Sequence, residues 1–150
     1  MKKIALKIRL MQADDFTAVT QIDEKVLGVS RPDYYKLKFE ELVQSTDRLP
    51  TSLVAEDEKG AVVGFVMGEL FIGQYGISHE ATLDTIGVDP DFQHQGVGRQ
   101  LLQEFRDHLK ALGARKIKTL VDTENTRMMR FFQANRFGPS QTINLEVTLG

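Results

Sequence analysis

Apolar residues change period several times along this chain, and each change marks an element. Ile4, Leu6, Ile8 and Leu10 alternate with Ala5, Lys7 and Arg9, the period of a half-buried strand. Helical spacing follows: Phe16, Val19, Ile22 and Val26 share one face, with Ala13-Asp14-Asp15 as an N-cap and Gly28 at the end. Arg31-Pro32-Asp33 opens a second helix with Tyr35, Phe39, Leu42 and Val43 on its apolar side. Ser52–Glu58 and Ala61–Phe71 read as an antiparallel pair across the turn Asp57-Glu58-Lys59-Gly60, the second strand weakened by Gly64 and Gly68. A loop over Ile72–Ser78 precedes another strand, His79–Val88. Then come a helix over Gly98–Leu112 capped by Gly113, a strand over Lys116–Val121, a helix carrying Met128, Phe131 and Phe132, and a last strand over Ile143–Leu149.

The strand His79–Val88 carries an irregularity. Ala81 and Leu83 are apolar at odd positions, Ile86 and Val88 at even ones. Either a β-bulge near Thr85 shifts the facing, or the strand's end is buried on both faces. Directly after it, Asp89-Pro90 and the run Gln93-His94-Gln95-Gly96-Val97-Gly98 lead without a spacer into the next helix. Strand, glycine-rich loop and helix N-terminus together make an anion site. The first-turn N–H groups and the positive end of the helix dipole face the loop, and glycine lets a ligand approach the backbone. A strand–helix–strand unit of this length joins parallel strands and puts the loop at the carboxyl end of the first, where ligands of open sheets collect. A phosphate-bearing ligand is expected there.

Composition narrows the ligand's class. A net charge of −2 leaves no basic footprint for nucleic acid. With no cysteine there is no disulfide, thiolate metal site or cysteine nucleophile, and His79, His94 and His108 lack metal-ligand spacing, so no metal is expected. Lys7 and Arg9 interrupt the apolar run behind the basic start before it reaches signal-peptide length, and no segment is long enough to span a membrane. The expectation is one cytoplasmic domain over residues 1–150, a length that suits a single core.

Three glycine-loop chemistries compete. The nucleotide P-loop requires Lys and then Ser or Thr after its last glycine, but Arg99-Gln100 follow Gly98. The dinucleotide fingerprint wants a third glycine and an early position in the chain, and both are missing. The third is carried by a resemblance. Gln93-His94-Gln95-Gly96-Val97-Gly98, preceded by Ile86-Gly87-Val88-Asp89-Pro90, resembles the Q/R-x-x-G-x-G/A signature of the GNAT superfamily of N-acetyltransferases. Asn125, Phe131-Phe132 and Phe137 resemble the family's N-x-x-A-x-x-F-Y-x-x-x-G-F stretch, and the element order matches over nearly the whole chain.

The resemblance implies an α/β (α+β) fold: a mixed, mostly antiparallel sheet of six to seven strands flanked by about four helices, with a splayed parallel strand pair at the coenzyme site. It implies acetyl-coenzyme A as cosubstrate. Ile86, Gly87 and Val88 would meet the pantetheine arm; Gln93, His94, Gln95, Gly96, Val97, Gly98 and Arg99 the pyrophosphate; and Asn125, Phe131 and Phe132 the coenzyme from the last helix. Transfer to an amine needs a site for the displaced proton. Glu80, Thr82 and Asp84 share one parity, and Asp84, nearer the bulge, ranks above Glu80 as base. The acceptor, a small-molecule amine or a peptide, would face Arg31, Tyr34, Tyr35 and Tyr75, with Glu69, Glu80 and Asp84 suiting its positive charge. Two positions depart from the family: Phe132 stands where many members carry the tyrosine that protonates the thiolate, and Arg136 where glycine is usual. The first opens an alternative, a non-catalytic acyl-coenzyme A-binding module. The short C-terminus leaves a sheet edge that a second subunit, in a homodimer, would cover.

Overall fold

The computed structural model describes residues 4–71 and 79–150. The expected loop Ile72–Ser78, Tyr75 included, lies outside them. The chain divides into two compact units, Met1–Thr119 and Leu120–Gly150. The first contains β1 (Lys7–Leu10), α1 (Phe16–Leu27), α2 (Pro32–Leu42), β2 (Leu53–Glu56), β3 (Val62–Phe71), β4 (Glu80–Val88), α3 (Val97–Ala111) and β5 (Lys116–Lys118). The second contains α4 (Thr126–Ala134).

One mixed sheet runs in the order β1-β2-β3-β4-β5, antiparallel except for the parallel pair β4–β5. The sheet has five strands among the described residues, against the six to seven expected. The missing one is Ile143–Leu149, which forms no ladder although its alternation is that of a strand. Alternation describes which face would be buried; a strand also needs a hydrogen-bonded neighbour, and this segment has none in the sheet. Ile143, Leu145, Val147 and Leu149 are 79–88% exposed.

Two layers cover the sheet. On one face α1 and α2 bring Val19, Ile22, Tyr35, Phe39 and Leu42 against Val54, Phe65 and Met67. At the opposite parity of β3, Gly64 and Gly68 receive α3. The two glycines that weaken β3 as a strand are what lets α3 lie so close. A Cβ on Gly64 would meet Leu101 and Val97 methyls at 2.9 Å, whereas one on Gly68 would meet Phe105 Cζ and the Thr82 carbonyl at 2.5 Å. Side-chain tips can shift and a paired backbone carbonyl cannot. Gly68→Ala is therefore expected to cost about 1–3 kcal/mol and clearly more than Gly64→Ala, which urea unfolding of the two variants would measure.

The bulge lies in β4. Met67 pairs with Thr85 and Gly68 with Leu83, so Asp84 has no partner on β3 and the facing changes there. In the C-terminal unit the last turn of α4 closes as a Schellman motif. Phe137 N–H donates to the Phe132 carbonyl (2.9 Å) and Arg136 N–H to that of Gln133 (3.2 Å). Phe132 and Phe137 make the accompanying apolar contact, ring centroids 5.0 Å apart. Arg136 sits at φ 71°, the left-handed conformation that a glycine would adopt without strain.

Candidate active site

The site begins where β4 parts from β5. The parallel ladder covers only Glu80–Thr82 against Lys116–Lys118. The Thr119 hydroxyl then donates to the Leu83 carbonyl (2.9 Å), taking an acceptor that a continuing ladder would use. From Thr85 to Val88 the strand is held by β3 on one side, and from Asp84 on no described strand lies along the other. Ile86, Gly87 and Val88 lie on this stretch, paired with Val66, Phe65 and Gly64. Gly87 is required by Phe65, whose ring stands 2.6 Å from where a Cβ would be.

Past Val88 the chain is tied down before it turns. Asp89 N–H donates to the Val63 carbonyl (2.8 Å); its carboxylate accepts Asp91 N–H (3.0 Å) and holds Lys25 Nζ (3.0 Å). His94 (φ 63°) and Gly96 (φ 83°) both adopt the left-handed conformation, so the loop turns twice within three residues. Ile4 straps it from outside, donating its N–H to the Gln95 carbonyl (3.2 Å) and accepting from Gln100 Nε2 (3.1 Å). The first hydrogen bond of the α3 turn runs from Gln100 N–H to the Gly96 carbonyl (3.0 Å). The N–H groups of Val97, Gly98 and Arg99 lie ahead of it without intrahelical acceptors, at the positive end of the dipole. Val97 is buried and anchors the turn; Gln93, Gln95 and Gly98 are half-buried, and His94 and Arg99 are exposed.

A polar network lies beside the bulge. Asp23 of α1 is buried and takes a bidentate ion pair from Arg31 (2.8 and 2.9 Å) together with the Tyr35 hydroxyl (2.9 Å). The Thr85 hydroxyl also bonds Tyr35, and burial raises the phenol's pKa far above its ordinary value, so Tyr35 is a neutral donor to Asp23. Arg31 stacks over Tyr34 at 4.4 Å. Next along α2, Lys38 Nζ reaches the Asp84 carboxylate at 3.0 Å and lies 5.6 Å above the Tyr34 ring.

The structure thus brings Asp84, Arg31, Tyr34 and Tyr35 together. Tyr35 is fully buried, which places it behind the surface as a support, while Tyr34 is partly exposed. Glu80 lies at the other end of β4, bridged to Lys118 (3.1 Å). Glu69 is ion-paired with Arg48, so each of the three carboxylates expected to attract an amine already holds a cation of the chain. Asn125, Phe131 and Phe132 belong to the C-terminal unit. There Asn125 Oδ1 caps α4 by accepting Met128 N–H (3.2 Å), and Phe132 packs between Phe131 and Phe137. Sequence reasoning missed Asp23, Lys38 and Thr119. Asp23 left a trace, a carboxylate on the apolar face formed by Val19, Ile22 and Val26; Lys38 and Thr119 left none.

An open strand edge, a left-handed glycine turn and a helix start without a side-chain cap follow one another along the chain here. Residues 14–138 match the acetyltransferase (GNAT) family, and the chain belongs to it. An acetyltransferase of Pectobacterium atrosepticum is 26% identical over 93% of both chains. The mycothiol acetyltransferase of Propionibacterium freudenreichii subsp. shermanii is 33% identical over 60% of this chain, which spans only 28% of that protein. The ribosomal protein bS18-alanine N-acetyltransferase of Escherichia coli is 38% identical over 39% of each. Among solved structures, the aminoglycoside N-acetyltransferase AAC(6')-Iy in complex with CoA superposes with TM-score 0.77 at 22% identity, covering 96% of this chain and 95% of that one. Among the described residues no helix is long and apolar enough to cross a membrane, and no group of three His, Asp or Glu side chains is placed to hold a metal ion.

Proposed function

We propose that this protein transfers the acetyl group of acetyl-coenzyme A to a primary amine of a small molecule or of a peptide or protein, by direct attack of the amine on the thioester. One observation carries the reading: β4 leaves its parallel neighbour after Thr82, and its open edge runs into a left-handed glycine turn and the start of a 15-residue helix. The loop amides from Gln93 to Arg99 suit a pyrophosphate. The free edge of Ile86, Gly87 and Val88 suits an amide-bearing arm that pairs as a short extra strand. The family supports the same coenzyme, as does a structural neighbour solved with CoA.

Asp84 is proposed to receive the acceptor's ammonium and take its proton, with a backbone N–H of the open edge beside it polarising the thioester oxygen. Glu80 is the second candidate. Phe132 has no proton to give, and the Tyr35 hydroxyl is committed to Asp23 and Thr85. Tyr34, partly exposed beside Asp84's partner Lys38, or unassisted departure of the thiolate remains for the leaving group.

Mixing the protein and acetyl-coenzyme A with a panel of amines and peptides is expected to release thiol above background with at least one acceptor. Gly96→Ala, forced to φ 83° with a side chain, is expected to weaken coenzyme binding roughly tenfold for about 1–2 kcal/mol of strain. Tight coenzyme binding with no turnover on any acceptor would favour the acyl-coenzyme A-binding module, and no binding at all would overturn both readings.

The proposed assembly is a homodimer. β5 is an edge strand of three residues, and Ile143–Leu149 offers an alternating apolar face with no ladder of its own, a segment suited to the sheet edge of a second copy. Sedimentation at micromolar concentration is expected to show twice the 16.9 kDa chain mass; monomer alone would remove the dimer.

A further inference from the structure

Lys38 is the one primary amine that the structure places on the carboxylate of the bulge residue, with its Nζ 3.0 Å from Asp84 among the described ion pairs and its side chain only a quarter exposed. The place of that contact along β4 matters. The ladder to β5 ends at Thr82, and Thr119 closes off the Leu83 carbonyl, so the open edge begins at Asp84 and ends at Val88. That edge spans roughly 13 Å. An arm that ran the length of that edge would bring its reactive end to Asp84, where the chain already holds an amine.

We infer that Lys38 is itself an acetyl acceptor, modified within the protein by the coenzyme bound along β4. This rests on the reading of the site given under Proposed function. The lysine ammonium loses a proton to solvent by way of Asp84, and its free Nζ attacks the acetyl carbonyl carbon. The N–C bond forms and the C–S bond breaks. The thiolate takes the second amine proton, so that lysine ammonium and acetyl-coenzyme A give acetyl-lysine, free thiol and one released proton. The product amide carries no charge. Its ion pair with Asp84 is lost, which leaves that carboxylate open to the ammonium of an incoming acceptor.

The test is peptide mass mapping after incubation of the full chain with acetyl-coenzyme A and no acceptor. A 42 Da addition at Lys38 is expected to appear about tenfold or more faster than at Lys36 or Lys59, which are exposed and report ordinary chemical acetylation. Its rate should not change with protein concentration, as for a reaction inside one molecule. Lys38→Arg keeps a cation for Asp84 and should abolish the fast modification without moving it to Lys36. Modification of Lys38 no faster than of Lys36, or a rate rising with protein concentration, would overturn the inference. Coenzyme binding by calorimetry and amine turnover, measured on the same sample, separate the two failures. Binding and turnover with Lys38 unmodified defeat this inference alone, and absence of binding defeats the site reading beneath it.

Discussion

Asp84→Asn is expected to lower kcat/KM for the amine acceptor by about 10²–10⁴-fold, the usual contribution of a positioned proton acceptor. Asparagine keeps the shape and removes both the charge that would hold an ammonium and the basic oxygen that would take its proton. Asp84 is singled out by the backbone: it is the extra residue of the bulge, unpaired with β3, at the first position past the closed end of the β4–β5 ladder. Glu80 lies four residues away, beside the closed part of the ladder and bridged to Lys118. Glu80→Gln is therefore expected to change kcat/KM by less than roughly threefold, a small fraction of what a proton-accepting group contributes. Steady-state kinetics on both variants, with their thermal midpoints as controls for folding, make the comparison. Equal losses in the two, or none in Asp84→Asn, would reject the assignment.

Asp23→Ala should have the largest effect on stability. Three elements meet on this buried carboxylate: α1 supplies it, Arg31 at the start of α2 and Tyr35 within that helix bind it, and the Tyr35 hydroxyl carries the connection to Thr85 on β4. Removing it leaves a fully buried phenol without its acceptor and a guanidinium without its counter-charge. Breaking a buried pair costs about 3–5 kcal/mol, but Arg31 is a third exposed and water recovers part of that, so about 2–4 kcal/mol is expected. For a chain of this size that is roughly a 5–15 °C fall in Tm. Tyr35→Phe removes the hydroxyl's two hydrogen bonds, to Asp23 and Thr85, and keeps the ion pair and the ring packing against Phe65, so it should cost about 1–2 kcal/mol. Calorimetric melting of the two variants tests the ordering. Because Arg31 packs on Tyr34 beside Lys38, Asp23→Ala should also disturb the acceptor side of the site at temperatures where the protein is still folded.

The fold was legible in the chain wherever a side-chain period met local punctuation. Gly28 closes α1 at φ 80° by donating to the Glu24 carbonyl, Gly60 turns the β2–β3 hairpin at φ 81°, and Pro32 starts α2. Each is a short-range consequence of what those residues can adopt. The slip in alternation around Thr85 was legible for the same reason, because one inserted residue exchanges the faces of all that follow. The glycine loop was legible too, since left-handed turns and helix starts are local events.

The sequence by itself determined the strand–loop–helix unit and the family to which the chain belongs. Only the tertiary structure decided what surrounds that unit. Gly64 and Gly68 read as weaknesses in a strand until α3 was seen to pack on them, and Ile143–Leu149 read as a strand because alternation carries no information about a partner. The cations on Asp84, Glu80 and Glu69 come from positions remote in sequence or on another strand, and Asp23 acquires its importance from residues on a second helix. Such pairings depend on which elements the folded chain sets side by side, a long-range property that no local period records.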